Sequence, residues 1–213
     1  MPRTPRFVVP GLPHHITQRG NYRQPVFFSP SDRLYFLRHL EKRARQNEFN
    51  VLGWCLMNNH FHLIAVPTLE NSFSLGLRAL LSEYTLQVNA QQERPRGHLW
   101  QGRFYSCALP GRRVWVALRY VELNPVRAGL VTSPELYPWS SARFHLGLET
   151  APPLLNRDHY PMLSAPEWSE WLRAGAKPEE EVEIRRSTLS GRPLGTPPPR
   201  RGRPKIGTEP LLF

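Results

Sequence analysis

The sequence predicts an α+β fold, a ferredoxin-like β-α-β-β-α-β antiparallel sheet followed by an additional helix and a disordered basic tail. Three observations lead to it. The apolar residues switch between a period of two and a period near 3.6 in that order along the chain. Two short apolar runs near the middle are split only by Asn58-Asn59, the signature of a hairpin. Prolines, glycines and arginines gather at the far end, where the apolar pattern stops. In such a chain two helices cover one face of the sheet and leave the other available for a site.

The elements follow in order. His14 to Gln18 (HHITQ) alternates as a strand, and Arg19, Gly20 and Asn21 then supply loop chemistry. From Ser31 to Gln46 the residues Leu34, Leu37, Leu40 and Ala44 recur at helical spacing, with Ser31 placed to cap the first turn. Val51 to Met57 and Phe61 to Val66 read as paired strands, because asparagine tolerates the positive φ of a tight turn. Ser72 to Gln92 places Phe73, Leu77, Leu80, Leu81, Tyr84 and Val88 on one helical face. Leu99 to Leu109 is an aromatic-rich strand with a bend at Gly102, and Arg112 to Leu123 is helical up to Asn124-Pro125. Beyond Tyr137 a Trp-rich piece (Trp139, Trp168, Trp171) is expected to form short helices against the domain's edge. The expected organisation is therefore a domain over 1–146, a helical extension over 147–184 and a flexible tail over 185–213.

Composition narrows the function. With 213 residues, 40% of them hydrophobic, the chain can fill one core, while 23 prolines is more than a packed domain uses. The formal charge of +11 calls for a polyanionic partner, and its arginines favour nucleic acid over an anionic membrane surface. No run reaches the roughly 18 apolar residues of a spanning helix, and MPRTPRFVVPGLP lacks the apolar middle of a signal peptide, so a cytoplasmic protein is expected. Cys55 and Cys107 stand alone and are expected to be free, buried thiols.

His60 and His62 lie two apart on an expected strand, so both imidazoles project from one face with Cα atoms about 7 Å apart, close enough to converge on one divalent ion. A pair of half-exposed strand histidines fits the same spacing. On the helix after the last strand, Tyr120 and Asn124 are one turn apart, about 5 to 6 Å between Cβ atoms. A tyrosine hydroxyl, with a pKa near 10, is a weak nucleophile, but its phosphodiester keeps enough transfer potential for a later 3′-hydroxyl to reverse the step. Two His and one amide oxygen would leave positions open on an ion that polarises a phosphate. A tyrosine in ALRYVELN also fits an ordinary core.

These residues resemble a known family, the HUH-type single-tyrosine transposases related to the IS200 insertion sequences, in particular their REP-associated branch. The resemblance runs from HHITQRGN through WCLMNNHFHLIAV and LWQGRFYS to RYVELNPVRAGLV and YPWSSA, roughly residues 12 to 146. It implies that His60 and His62 bind a divalent cation, Mg²⁺ or Mn²⁺, and that Tyr120 attacks a single DNA strand to give a 5′-phosphotyrosine and a free 3′-hydroxyl. Zn²⁺ or Ni²⁺ would also suit such ligands. The third ligand of the insertion-sequence branch is similar to a Gln one turn after the tyrosine; here that position is Asn124, whose side chain is shorter. The basic tail looks like that of REP-associated members, which implies repetitive palindromic (REP) single-stranded DNA hairpins as partners. The sequence leaves monomer and homodimer open.

Arg201-Gly-Arg-Pro-Lys205 is similar to an AT-hook, in which Arg201, Arg203 and Lys205 would follow a narrow minor groove, and Gly191-Arg192-Pro193 repeats part of it. A solvated basic linker reads the same way. Arg19 and Arg103, with Trp100, Phe104 and Tyr105, could line a groove for stacked bases and phosphates, although Trp100 and Phe104 fit a core equally well. Tyr105 is also the competitor of Tyr120 as nucleophile. The functional expectation is a metal-dependent endonuclease and strand transferase; a non-catalytic DNA-binding regulator on the same fold is the alternative from another class.

Overall fold

The computed structural model describes residues 7–92, 98–155 and 163–196. Four strands, β1 (His14–Arg19), β2 (Phe49–Leu56), β3 (His60–Pro67) and β4 (Tyr105–Ala108), form one antiparallel sheet in the order β2-β3-β1-β4. Helix α1 (Pro30–Gln46) joins β1 to β2 and α2 (Ser72–Gln91) joins β3 to β4, which is the expected ferredoxin-like order. Then follow α3 (Arg113–Glu122), α4 (Asn124–Arg127), α5 (Ala142–His145), α6 (Ala165–Arg173) and α7 (Pro178–Ser190). No described helix is long and apolar enough to cross a membrane.

The alternation of β3 decides what each face of the sheet meets. Phe61, Leu63 and Ala65 point to α1 and α2 and join Phe36, Leu40, Phe73, Leu77, Leu80 and Tyr84 in one core. Ile64 and Val66 point the other way and join Val114, Leu118, Val121, Trp168 and Ile184 from α3, α6 and α7 in a second. The second face is therefore covered by helices over much of its area, not left open as expected. Its apolar residues, including Leu52, Cys55 and Cys107, are fully buried there and would otherwise face water.

Three local readings are corrected. Helix α1 begins at Pro30 because Ser29 caps it: the Ser29 hydroxyl accepts from the Asp32 N–H while the Asp32 carboxylate accepts from the Ser29 N–H. Ser31 sits inside the first turn, and the buried stripe is Arg33, Phe36, Leu40 and Ala44, with Leu34 at the surface. At the hairpin neither Asn58 nor Asn59 has positive φ. Tertiary bonds hold that turn instead: the carbonyl of Asn58 accepts from the N–H groups of Val26 and Phe27, and that of Asn59 from Gly20. The last strand shortens to Tyr105–Ala108, and Trp100 and Phe104 are buried in the first core, not in a groove. The Trp100 indole N–H donates to the Leu81 carbonyl, so its polar edge is also committed.

The tail boundary is corrected as well. Helix α7 runs through Arg185 to Ser190 and ends at Gly191, whose φ of 71° gives a left-handed C-cap. Ile184, Ser187 and Thr188 are buried beneath it, and the Leu194 N–H donates to the Ala108 carbonyl of β4. The basic composition hid a helical stripe. Arg201, Arg203 and Lys205 lie outside the described residues.

Beneath the second layer lies a buried carboxylate, Glu122 at the end of α3. It accepts from the Trp168 indole N–H at 2.8 Å and from the Ser141 hydroxyl, and it pairs with His145 Nδ1. Ser141 also takes the Trp54 N–H of β2 at 3.1 Å. One side chain thus ties α3, α5 and α6 to the sheet. Cys55 and Cys107 are free and buried, as the sequence suggests.

Candidate functional site

On β3 the rings of His60 and His62 lie edge to face, with centroids 5.0 Å apart. His62 is buried and His60 half-buried. Helix α3 lays Tyr120 across them, its ring centroid 5.5 Å from that of His62 at an interplanar angle of 89°. The three residues singled out by spacing therefore meet. Tyr105 is exposed at the start of β4.

A histidine that the motif reading passed over completes the cluster. His15 of β1 stacks on His62 with centroids 5.1 Å apart, and its Nε2 lies 2.9 Å from His62 Nδ1. The β1–β3 register explains the approach, since Thr17 pairs with His62 and His15 with Ile64, which puts His15 diagonally next to His62 on the same face. His14 points to the other face, against the Phe73 ring, and its Nδ1 bonds to the Leu12 carbonyl at 2.7 Å.

Burial keeps these imidazoles neutral. It pushes His15 down to about 3 and His60 to about 4, where Arg19 and Arg185 add to the effect. His62 is held well below its ordinary value by burial and then by its neighbours His60 and His15. A neutral imidazole is what a metal ligand must be.

Tyr120 is only 3% exposed. Its hydroxyl accepts from Arg185 Nε of α7 at 3.2 Å, and the Arg127 guanidinium lies 4.2 Å from its ring centroid while donating to the Tyr120 carbonyl. Two cations thus surround the Tyr120 side chain. The phenol hydrogen bond holds the Arg185 guanidinium above its ordinary value. Arg127, Arg185 and Thr188 were not anticipated; Arg127 stands inside the NPVRAG motif, whereas Arg185 and Thr188 were obscured by the tail's composition.

Asn124 is buried at the junction of α3 and α4, and its amide nitrogen has no partner among the described residues. No group of three or more His, Cys, Asp or Glu side chains among the described residues is arranged to hold a metal. Arg19 is exposed at the end of β1, paired in register with His60, and Arg103 is exposed in the segment before β4. Arg192 is half-buried just after α7. In the loop after β1, Tyr22 is 94% exposed with φ 50°, and the neighbouring Arg23 carbonyl takes the Asn59 side-chain N–H. That strained, exposed aromatic beside the His60 turn is a further residue the sequence reading missed.

The profile of the family described as "Transposase IS200 like" matches residues 8–124, more than half of the chain. The protein belongs to that family of IS200-like transposases, which are DNA-cleaving enzymes. Among solved structures it is similar to a REP-associated tyrosine transposase bound to a REP hairpin, at 20% identity with a TM-score of 0.58, over 77% of this chain and 96% of that one. A proposed transposase from Deinococcus radiodurans R1 matches at 18% identity with a TM-score of 0.41, over 57% of this chain and 96% of that one. No functionally curated protein matches the chain. At these identities the structural likeness establishes the fold, that of the REP-associated transposase.

Proposed function

We propose that this transposase is a metal-dependent single-stranded DNA endonuclease and strand transferase that cuts and rejoins DNA at repetitive palindromic hairpins, with Tyr120 as its nucleophile. The observation that carries the reading is the packing of the Tyr120 ring against His62 with its hydroxyl under Arg185. The likeness to a hairpin-bound transposase supports the choice of DNA.

The donor set fits a divalent ion. Nε2 of His60 and of His62 has no hydrogen bond to the protein among the described residues, and the Asn124 amide nitrogen has no partner among them. His60, His62 and Asn124 would hold Mg²⁺ or Mn²⁺, which when bound polarises the scissile phosphate. The residues of the chain do the rest. As Tyr120 Oη forms its bond to phosphorus its proton passes to solvent, the bond from phosphorus to the 3′ oxygen breaks, and that oxygen leaves as a hydroxyl after taking a proton from water. Rejoining reverses this, with the phenolate as leaving group. Arg185, already donating to that oxygen, stabilises its negative charge in both directions. Arg19 and Arg103 would pair with phosphates, and Tyr22 offers a face on which a base can stack.

The test is incubation of the full chain with labelled single-stranded hairpins and Mn²⁺, followed by denaturing electrophoresis. Wild type is expected to form a covalent adduct and Tyr120→Phe none, at unchanged hairpin affinity. Wild-type yield from the Phe variant would sink the nucleophile. The buried hydroxyl favours one rival, a DNA-binding regulator without catalysis, which predicts tight hairpin binding and no adduct from either protein. We also propose that Arg192, Arg201, Arg203 and Lys205 contact DNA electrostatically. Truncation after Thr196 should then flatten the plot of log affinity against log salt by about 0.7 per lost contact on single strands; equal slopes would remove the tail from the interface.

A further inference from the structure

Proton accounting at the buried end of the site leads from α7 to the histidine pair. Thr188 Oγ1 lies 2.7 Å from the Ile184 carbonyl and 2.7 Å from His15 Nδ1. A carbonyl cannot donate, so the single hydroxyl proton of Thr188 is committed to Ile184, and the 2.7 Å contact to His15 needs a proton from the ring. Cys107 Sγ, 3.3 Å from the same oxygen, competes for no proton, because burial pushes its thiol up to about 11 and it keeps its own. His15 is thus protonated on Nδ1. Its Nε2 then has a lone pair, and the 2.9 Å contact to His62 Nδ1 requires His62 to donate. His62 is left with its free lone pair on Nε2.

We infer that Thr188 and His15 form a positioning relay that fixes the tautomer of His62, so that this histidine offers Nε2 as a ligand atom to a divalent cation. Thr188 and His15 touch neither the ion nor DNA; they act through His62. A second device serves His60. The Asn59 side-chain N–H donates to the Arg23 carbonyl at 3.1 Å, which identifies the amide oxygen as the atom 2.7 Å from His60 Nδ1 and leaves His60 with its lone pair on Nε2 as well. Both histidines of the strand are thus set to the same tautomer by different neighbours, one through a surface turn and one through a buried chain ending in α7. Outer hydrogen bonds of this kind orient a ligand histidine and raise its basicity. The chain through α7 also explains why that helix keeps a fully satisfied threonine buried in it.

The relay rests on the metal-site reading, and the experiment separates the two. Long-range ¹H–¹⁵N correlation spectra of the metal-free full chain at pH 7.5 read each imidazole directly: His15, His60 and His62 are expected to carry the proton on Nδ1. A proton on Nε2 of His62 overturns the relay. Calorimetric titration with Mn²⁺ alone, without DNA, is then run on wild type, Thr188→Ser and Thr188→Val. Serine keeps the acceptor and should bind as wild type; valine removes it and should bind about 10- to 100-fold more weakly. Where wild type binds Mn²⁺, equal affinity of the Ser and Val variants overturns the relay. If wild type shows the expected tautomers but no Mn²⁺ binding, the relay stands and the metal reading falls. Should the valine variant fail to fold, the wild-type spectra still decide the tautomers.

Discussion

The two helical layers do different work on the same sheet. Helices α1 and α2 meet it with Phe36, Phe73, Leu77 and Tyr84 against Phe61 and Leu63, and the rings contact one another edge to face or tilted at 5 to 6 Å. Helices α3, α6 and α7 meet it with a mixture: aliphatic residues, but also Tyr120, Glu122 and Arg119 of α3 on the side where the sheet presents His15 and His62, all buried. Polar atoms without partners concentrate in that second layer, at Arg119 Nε, Asn124 Nδ2, Arg127 NH1 and His145 Nε2 among the described residues. An orphaned buried polar atom costs about 1 to 3 kcal/mol, so this layer gives up more stability than the first, where Arg33 Nε and Ser106 Oγ lack partners among the described residues. The difference locates the chemistry: one side of the sheet is specialised for cohesion, and the other tolerates unpaired groups where the histidines and tyrosine meet.

Adjacent residues of β3 test this most directly. Phe61→Ala opens a cavity between Phe36 and Trp100 and should cost about 3 to 5 kcal/mol in urea denaturation. His62→Ala should cost only about 1 to 3 kcal/mol, mostly by leaving His15 Nε2 unpaired, while removing adduct formation entirely. Equal destabilisation by the two changes would erase the distinction between the layers.

Acid should act next most strongly, and on both faces. His14, held to about 4, and His15, held to about 3, stay neutral in the folded chain but protonate near 6.5 when unfolded. The unfolded state therefore binds more protons below pH 6.5, so stability is constant above that value and is lost as pH falls toward 3 to 4. At pH 5 each of these two histidines should contribute a loss of about 2 kcal/mol, to which His60 and His62, also held below their ordinary value, add, read as a fall in denaturation midpoint between pH 7.5 and 5 in metal-free buffer. A flat profile would mean that these rings are hydrated.

Glu122→Gln sharpens the comparison within the second layer. One of the three groups gathered around the carboxylate, Ser141, His145 or Trp168, would face an amide N–H, for a loss of about 2 kcal/mol. Since Glu122 and Tyr120 share α3, a decline in adduct yield out of proportion to the stability loss would show that the carboxylate also positions the nucleophile.

Much of this was legible because period and motif are local signals. Strand and helix order and the shared face of His60 and His62 follow from spacing within single elements, while Tyr120 was singled out by the resemblance of RYVELNPVRAGLV to a family motif. What escaped depends on contacts distant in sequence. His15 joins His62 across 47 positions and Thr188 joins His15 across 173, and no spacing rule reaches that far. The second half of α7 was missed for a different reason: Arg185 and Arg186 begin the basic stretch, so composition outweighed the buried Ser187 and Thr188 that continue the stripe of Ile184. Tyr22 carries no pattern at all, since its exposure follows from a turn that tertiary bonds to Asn59 create.

The smallest expected effect concerns a residue whose environment spacing misjudged. Leu34 stands at helical distance from Leu37 and belongs, by periodicity, to the buried stripe of α1; in the fold it is 48% exposed. The cause is the cap. Because Ser29 and Asp32 start the helix at Pro30, and Arg33 reaches Asn58 Oδ1 at 2.7 Å to hold the hairpin, the inward face of the first turns is set by Arg33 and Phe36, one position before Leu34 and Leu37. Leu34→Ala should therefore change stability by less than about 0.5 kcal/mol, as exposed substitutions by a good helix former usually do. Phe36→Ala, two positions on, should cost about 3 to 5 kcal/mol, because its ring touches Phe27, Phe61 and Tyr84. Denaturant titrations of the two variants side by side check the register of α1 on the first layer. A loss of 2 kcal/mol or more at Leu34 would mean that the helix is rotated toward the stripe that periodicity alone suggests.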